Sequence, residues 1–178
     1  MQSINAIMDT SFLIDWVKYD KRDLIFNYYD LIFITESVLN EIRTETPLLW
    51  ISEGLAKGRI KVLEEDREVR RKALLIVEAT RGLPIRSADY PEAVCLVFGK
   101  ELRVDVLTEN GGVFAAKEFL SEYKDVKVYR GIDLLYLLYK KGLLSDFISE
   151  LKTYIKFTKH TYSKEVLGKY GVDLREIS

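Results

Sequence analysis

The stretch Ile4-Asn5-Ala6-Ile7-Met8-Asp9-Thr10-Ser11-Phe12-Leu13 decides how the chain is read. A short apolar run ends at an acid followed by two hydroxyl residues, the pattern of a buried strand feeding a helix whose first N–H groups need a cap. Helical spacing continues through Trp16 and Val17, and a second helix is expected over Asp23–Tyr29. Strand then helix recurs: Leu31–Thr35 reads as a strand, and Ser37–Thr44 as a helix with Val38, Leu39 and Ile42 on one face. A helix near Pro47–Lys57, a strand Ile60–Leu63 and a charged amphipathic helix Glu65–Thr80 follow, then a break at Gly82-Leu83-Pro84. Pro91–Leu102 is expected to be helical, with proline in its first turn. Val104–Thr108 reads as a strand, Phe114–Tyr123 as a helix and Val126–Tyr129 as a last strand. Alternating strands and helices predict an α/β protein, a parallel sheet covered on both faces. After Arg130 no strand pattern remains, and Leu134–Lys141, Leu144–Phe157 and Ser163–Tyr170 read as helices. The expected organisation is an α/β/α unit over residues 1–130 with a helical appendage, 131–178, packed on it or on a dimer partner.

Composition removes several classes of chemistry. The 178 residues hold 27 Lys and Arg against 28 Asp and Glu, a formal charge of −1, which denies the chain a broadly basic surface. One cysteine, Cys95, cannot form an internal disulfide or a thiolate zinc site, and it falls among apolar residues as a core position. Any nucleophile–histidine system would have to run through the one histidine, His160, which reads as solvent-exposed in the tail. No apolar stretch has the length of a membrane span and none resembles a secretion signal, so a cytoplasmic location away from membranes is the expectation. Chemistry is left to hydroxyls, amides and carboxylates, with or without a bound cation.

The acids fall in a suggestive order. Ligands of open parallel sheets gather at the carboxyl ends of strands. Asp9 ends the first strand, Glu36 and Glu41 follow the second, and Glu109 and Asn110 end the strand beginning at Val104. Asp89 and Glu92 open the helix before that strand, although sequence alone does not say which way this helix runs. Converging carboxylates repel and resist ionising unless a cation joins them. Hard oxygen donors favour Mg²⁺ or Mn²⁺, which can stabilise charge on a phosphate and activate water.

At these residues the chain resembles the PIN domain, the nuclease fold of VapC-type toxins. Four segments carry the likeness: Met8-Asp9-Thr10-Ser11-Phe12-Leu13-Ile14-Asp15, Thr35-Glu36-Ser37-Val38-Leu39-Asn40-Glu41-Ile42, Tyr90-Pro91-Glu92-Ala93-Val94 and Leu107-Thr108-Glu109-Asn110. The likeness spans roughly residues 4–130, and the tail segments Gly131–Leu135 and Lys141-Gly142-Leu143 are also similar to tails of one PIN subgroup. It implies a PIN-like fold and a metal-dependent endoribonuclease leaving 5′-phosphate and 3′-hydroxyl ends. In that reading Asp9, Glu41, Glu92 and Glu109 are catalytic, with Asp9, Glu92 and Glu109 as metal ligands. Thr10, Ser11, Asp89, Thr108 and Asn110 support them. It further implies an RNA substrate, an antitoxin partner and a homodimer. The chain departs from the pattern in carrying Glu rather than Asp at 92, and in offering Glu109 or Asn110 at the fourth position.

Each residue has a structural alternative. Asp9 and Asp89 also read as helix caps, Glu92 as a complement to a helix dipole, and Asn110-Gly111-Gly112 as a turn. A PIN-like module that binds RNA or protein without cutting is the competing function. The aromatic-basic tail, with Tyr139, Tyr154, Phe157, Tyr162 and Tyr170 among lysines, reads as an RNA contact, a partner surface or plain core packing.

Overall fold

In the computed structural model, which describes residues 4–83 and 86–177, the chain is a three-layer α/β fold. The first strand, β1 (Asn5–Met8), leads through Asp9 into α1 (Thr10–Trp16). A 3₁₀ turn (Arg22–Leu24) and α2 (Ile25–Tyr28) stand where one helix was expected. Then come β2 (Leu31–Thr35), α3 (Glu36–Glu41), α4 (Glu45–Ala56), β3 (Ile60–Leu63), α5 (Arg67–Arg81) and α6 (Tyr90–Leu102). The series ends with β4 (Asp105–Leu107), α7 (Gly111–Phe119), β5 (Val128–Tyr129), α8 (Gly131–Lys140), α9 (Phe147–Thr158), α10 (Lys164–Gly168) and α11 (Leu174–Ile177).

All four strand pairings are parallel, in the order β3-β2-β1-β4-β5. The central strand is buried throughout its apolar length, with Ala6, Ile7 and Met8 at 0% exposure, which is why the first strand reads as a continuous apolar run rather than an alternating one. The chain moves outward from β1 to β2 and β3 and then crosses back to β4, so the direction of winding reverses between β1 and β4. Crevices at such a reversal are where open α/β sheets bind ligands. The register Met8↔Leu107 places the next residues, Asp9 and Thr108, side by side at that crevice.

Several boundaries differ from expectation, each for a local reason. The helix expected to reach Thr44 stops at Glu41, because Ile42 turns extended (φ −74°, ψ 123°) and is buried. The helix expected from Phe114 begins three residues earlier, since the Asn110 side chain accepts the Gly112 N–H at 2.8 Å and caps it. Gly112 has to be glycine there: a Cβ would lie 2.4 Å from the Ser87 carbonyl oxygen. That close approach seats the start of α7 against the segment leading into α6. The β4 and β5 strands are shorter than the apolar runs that announced them. Of the expected break after α5, Pro84 lies outside the described residues.

The tail helices share the core of the sheet unit. Tyr154 of α9 is fully buried and packs on Trp16 (ring centroids 5.8 Å) and Tyr19 (5.8 Å), while Tyr19 donates its hydroxyl to Glu150 of the same helix at 2.5 Å. Leu134, Leu135 and Leu138 of α8 and Leu151 of α9 are also at 0% exposure. Tyr154 and Tyr162 of the aromatic tail are therefore core residues, whereas Tyr139 and Phe157 are 40% and 46% exposed. Because this packing is continuous with α1, Tyr154→Ala is expected to lower stability by about 3–5 kcal/mol, the usual loss for a buried aromatic. Denaturant unfolding followed by Trp fluorescence and by circular dichroism should then show one shifted, coincident transition. Two separated transitions would show that the tail unfolds on its own.

Candidate active site

Asp9 is the residue on which the site is built. Its backbone leaves β1 extended (φ −84°, ψ 174°), the N-cap conformation, and its carboxylate accepts the Phe12 N–H at 2.8 Å. Ser11 Oγ lies 2.9 and 3.0 Å from the two carboxylate oxygens, and Thr108 Oγ1 donates to one of them at 2.5 Å. Capping and site formation are thus one arrangement, and the two readings of this residue do not compete. Asp9 is wholly buried, and burial pushes its pKa up from 3.8 to about 6. The hydrogen bonds from Phe12, Thr108 and Ser11 oppose the rise, and the charge of Glu41 adds to it.

Glu92 is the second acid of the pair. It occupies the third position of α6, so this helix begins over the carboxyl edge of the sheet and runs away from it. One oxygen accepts the Asp89 N–H at 2.9 Å, and the other accepts the Asn110 side-chain amide. Glu92 is 8% exposed, and its pKa is pushed up to about 7, first by burial and also by the nearby charge of Asp9. Asp89, one turn before it, is exposed at the cap position. The structure brings Glu92, rather than Asp89, to Asp9. Asn110 has two roles, since its oxygen caps α7 while its nitrogen holds Glu92.

Glu41, at the last position of α3, is exposed and accepts the Thr10 hydroxyl at 2.5 Å. That bond ties the end of α3 to the start of α1 and keeps the Glu41 charge within reach of Asp9. Thr10 therefore positions Glu41, while Ser11 and Thr108 position Asp9.

Glu109 goes elsewhere. Its backbone N–H donates to Ser11 Oγ at 3.2 Å, but its side chain turns into the tail. There one oxygen accepts Gly131 N–H (2.7 Å) and the hydroxyls of Tyr154 and Tyr162 (3.1 Å each), while the other lies 3.3 Å from His160 Nε2. Burial raises its pKa, and His160 opposes the rise. The expectation that His160 is solvent-exposed is corrected here. Its ring is 24% exposed, held by Asp15 Oδ2 at 3.1 Å from Nδ1 and packed against Tyr162 (ring centroids 4.7 Å). The bond to Asp15 raises the His160 pKa. Sequence reasoning missed Asp15, His160, Tyr154 and Tyr162 as a group because they lie far apart along the chain. The one available signal was that Asp15 lies four residues after Ser11, on the same face of α1.

The donor set suits a hard divalent cation. Asp9 and Glu92 are buried acids near each other, and no Lys or Arg pairs with either among the described residues. Among those residues no three ligating side chains close a cage by themselves. Mg²⁺-type sites take one or two carboxylates and keep several waters, so the pair meets that requirement.

The raised acids predict a pH signature. Folding holds Asp9 and Glu92 protonated between their ordinary range near 4 and about 6 and 7, so the folded state binds more protons there. Without metal their contribution falls as pH rises through that window, about 1.4 kcal/mol per unit of displacement. The melting temperature in EDTA, relative to Asp9→Asn, is expected to fall between about pH 4 and pH 7. Mn²⁺ should restore it at pH 8 and do little at pH 5. A flat difference curve would show that Asp9 is not held this way.

No protein-family model matches the chain, and no curated protein sequence matches it; the functional reading rests on the arrangement of these side chains.

Proposed function

We propose that the chain is a Mg²⁺- or Mn²⁺-dependent endoribonuclease of PIN type, working in the cytoplasm as the toxin of a toxin–antitoxin pair and as a homodimer. The observation that carries the catalytic part is the buried, cation-free pair Asp9 and Glu92 at the crevice between β1 and β4. Toxin role, antitoxin, dimer and compartment rest on the resemblance of the four segments.

Asp9 and Glu92 would hold the ion, with Glu41 adding charge at the exposed side. When bound, a divalent cation supplies positive charge for an RNA phosphate and activates water for in-line attack. The chain's own work is positioning. Ser11 and Thr108 fix the Asp9 carboxylate, Asn110 fixes Glu92, and Thr10 fixes Glu41. Supporting bonds of this kind usually change metal affinity about 10–100-fold when removed. Binding without cleavage is the second reading, and Glu109 is the observation favouring it, because the side chain at the fourth position is taken up by the tail.

The test is cleavage of single-stranded RNA in Mn²⁺ and in EDTA. Cleavage with 5′-phosphate ends is expected in Mn²⁺ alone, with Asp9→Asn and Glu92→Gln inactive. Thr108→Val is expected to raise the Mn²⁺ requirement about 10–100-fold. Cleavage indifferent to EDTA and to Asp9→Asn would sink the proposal. Glu109→Gln separates the two readings of the fourth position. It should lower stability and leave cleavage near wild type, whereas a metal ligand at 109 would make that variant inactive. Calorimetric titration with Mn²⁺ that shows no uptake dependent on Asp9 would favour the binding module.

A further inference from the structure

A cleft of about 550 Å³ lies between α3, the start of α5 and α6, lined by Glu36, Leu39, Asn40, Glu65, Arg70 and Tyr90 among others. Its lining comes from the two helices that carry site acids, Asn40 in α3 beside Glu41 and Tyr90 in α6 two residues before Glu92. The floor is a closed set of bonds. Glu65, 5% exposed, accepts the Ser37 N–H (2.8 Å) and the Tyr90 hydroxyl (3.0 Å), which anchors the tyrosine ring at the rim. Arg70 donates its Nε–H to the Glu65 carbonyl at 2.7 Å and stands 3.7 Å from Glu36. Glu36 accepts the Glu65 N–H at 3.2 Å, and its side chain is 45% exposed.

Two carboxylates against one guanidinium make this a poor phosphate pocket, and the Tyr90 ring beside them favours a base over a ribose as the part of RNA it would take. Unpaired bases are recognised by stacking on aromatic rings and by hydrogen bonds along their Watson–Crick edges. Tyr90 offers the ring, Asn40 an amide and Glu36 a carboxylate whose two oxygens have about four lone-pair directions. Guanine alone among the RNA bases presents two adjacent donors on that edge, N1–H and the N2 amine. Adenine and cytosine set their amine beside a ring-nitrogen acceptor, which would face a carboxylate oxygen, and uracil flanks its single donor with carbonyls.

We propose that this cleft is a subsite for an unpaired guanine of the RNA strand, read by Glu36 and stacked on Tyr90. The proposal deepens the nuclease reading and rests on RNA being the substrate. Short fluorescent oligouridines carrying one central guanosine, one inosine or neither would be titrated with the full chain in EDTA and read by anisotropy. Guanosine is expected to bind about tenfold more tightly than inosine, which lacks the N2 amine, or than uridine. Glu36→Gln should erase the difference between guanosine and inosine. Tyr90→Leu should weaken all three oligonucleotides about tenfold while Tyr90→Phe keeps the binding, which separates ring stacking from the bond to Glu65. Equal binding of the three oligonucleotides, or a guanosine preference that survives Glu36→Gln, overturns the subsite. Guanosine-selective binding without Mn²⁺-dependent cleavage keeps the subsite and removes the nuclease reading, whereas cleavage without base preference does the reverse.

Discussion

The structure depends on keeping one carboxylate, Asp9, buried at the end of its central strand. A buried acid without compensation is expensive, so it has to be met by donors. The Phe12 N–H comes from α1, Ser11 from the same turn and Thr108 from the end of β4. Those three donors join the first strand, the first helix and the strand beyond the crossover at one point. The point coincides with the reversal of winding between β1 and β4, where the sheet opens a crevice. The geometry that caps α1 is therefore the geometry that creates the site.

The tail completes this arrangement from the other side. Ser11 donates to Asp9 and accepts from the Glu109 backbone, so the two acids are linked through a single hydroxyl. Glu109 then reaches Gly131, Tyr154 and Tyr162, and His160 bridges from Glu109 to Asp15. Residues 131–162 thus pack against the edge that holds the acid pair. Arg130, at the N-cap of α8, stacks over Phe114 with its guanidinium carbon 3.7 Å from the ring centroid, holding α8 to α7.

Much of this was legible in the residues. The runs Asn5–Met8 and Leu31–Thr35 announced their strands because burial inside the sheet demands near-continuous apolar side chains, while Ile60–Leu63, an edge strand with Lys61 and Val62 exposed, was marked by its β-branched residues. Asp9, Thr108 and Asn110 were legible because strand ends and cap positions are marked by short polar side chains. The choice between Asp89 and Glu92 was not, since both open the same helix and only the placement of α6 over the sheet sends Glu92 inward. The fate of Glu109 was hidden for a stronger reason. Its partners lie 22, 45 and 53 residues downstream, in helices whose periodicity tells nothing about where they dock. His160 was misread for the same reason: a lone polar residue between Lys159 and Thr161 looks like surface until Asp15 is brought to it.

The comparison of the buried acids locates where positive charge is wanting. Glu109 is as enclosed as Glu92, yet it has two tyrosine hydroxyls, a backbone N–H and an imidazole whose pKa is raised toward the charged form. Its burial still raises its pKa, but the chain supplies an imidazole that opposes the rise. Asp9 has hydroxyl and backbone donors but no cation, and Glu92 has one amide and one N–H. Hydrogen bonds alone leave both with raised pKa values, and each acid or its neighbour raises them further. A chain with 27 basic residues could have supplied a lysine or arginine here, as Lys21 does for Glu150. That the one acid pair at the sheet's crevice is left without such a partner, while Glu109 nearby has one, is the physical reason to look for a dication at Asp9 and Glu92 rather than at Glu109. Under the proposed function the near-neutral total charge is then no obstacle to a polyanionic substrate, because the local deficit at this edge is where a divalent ion would meet a phosphate.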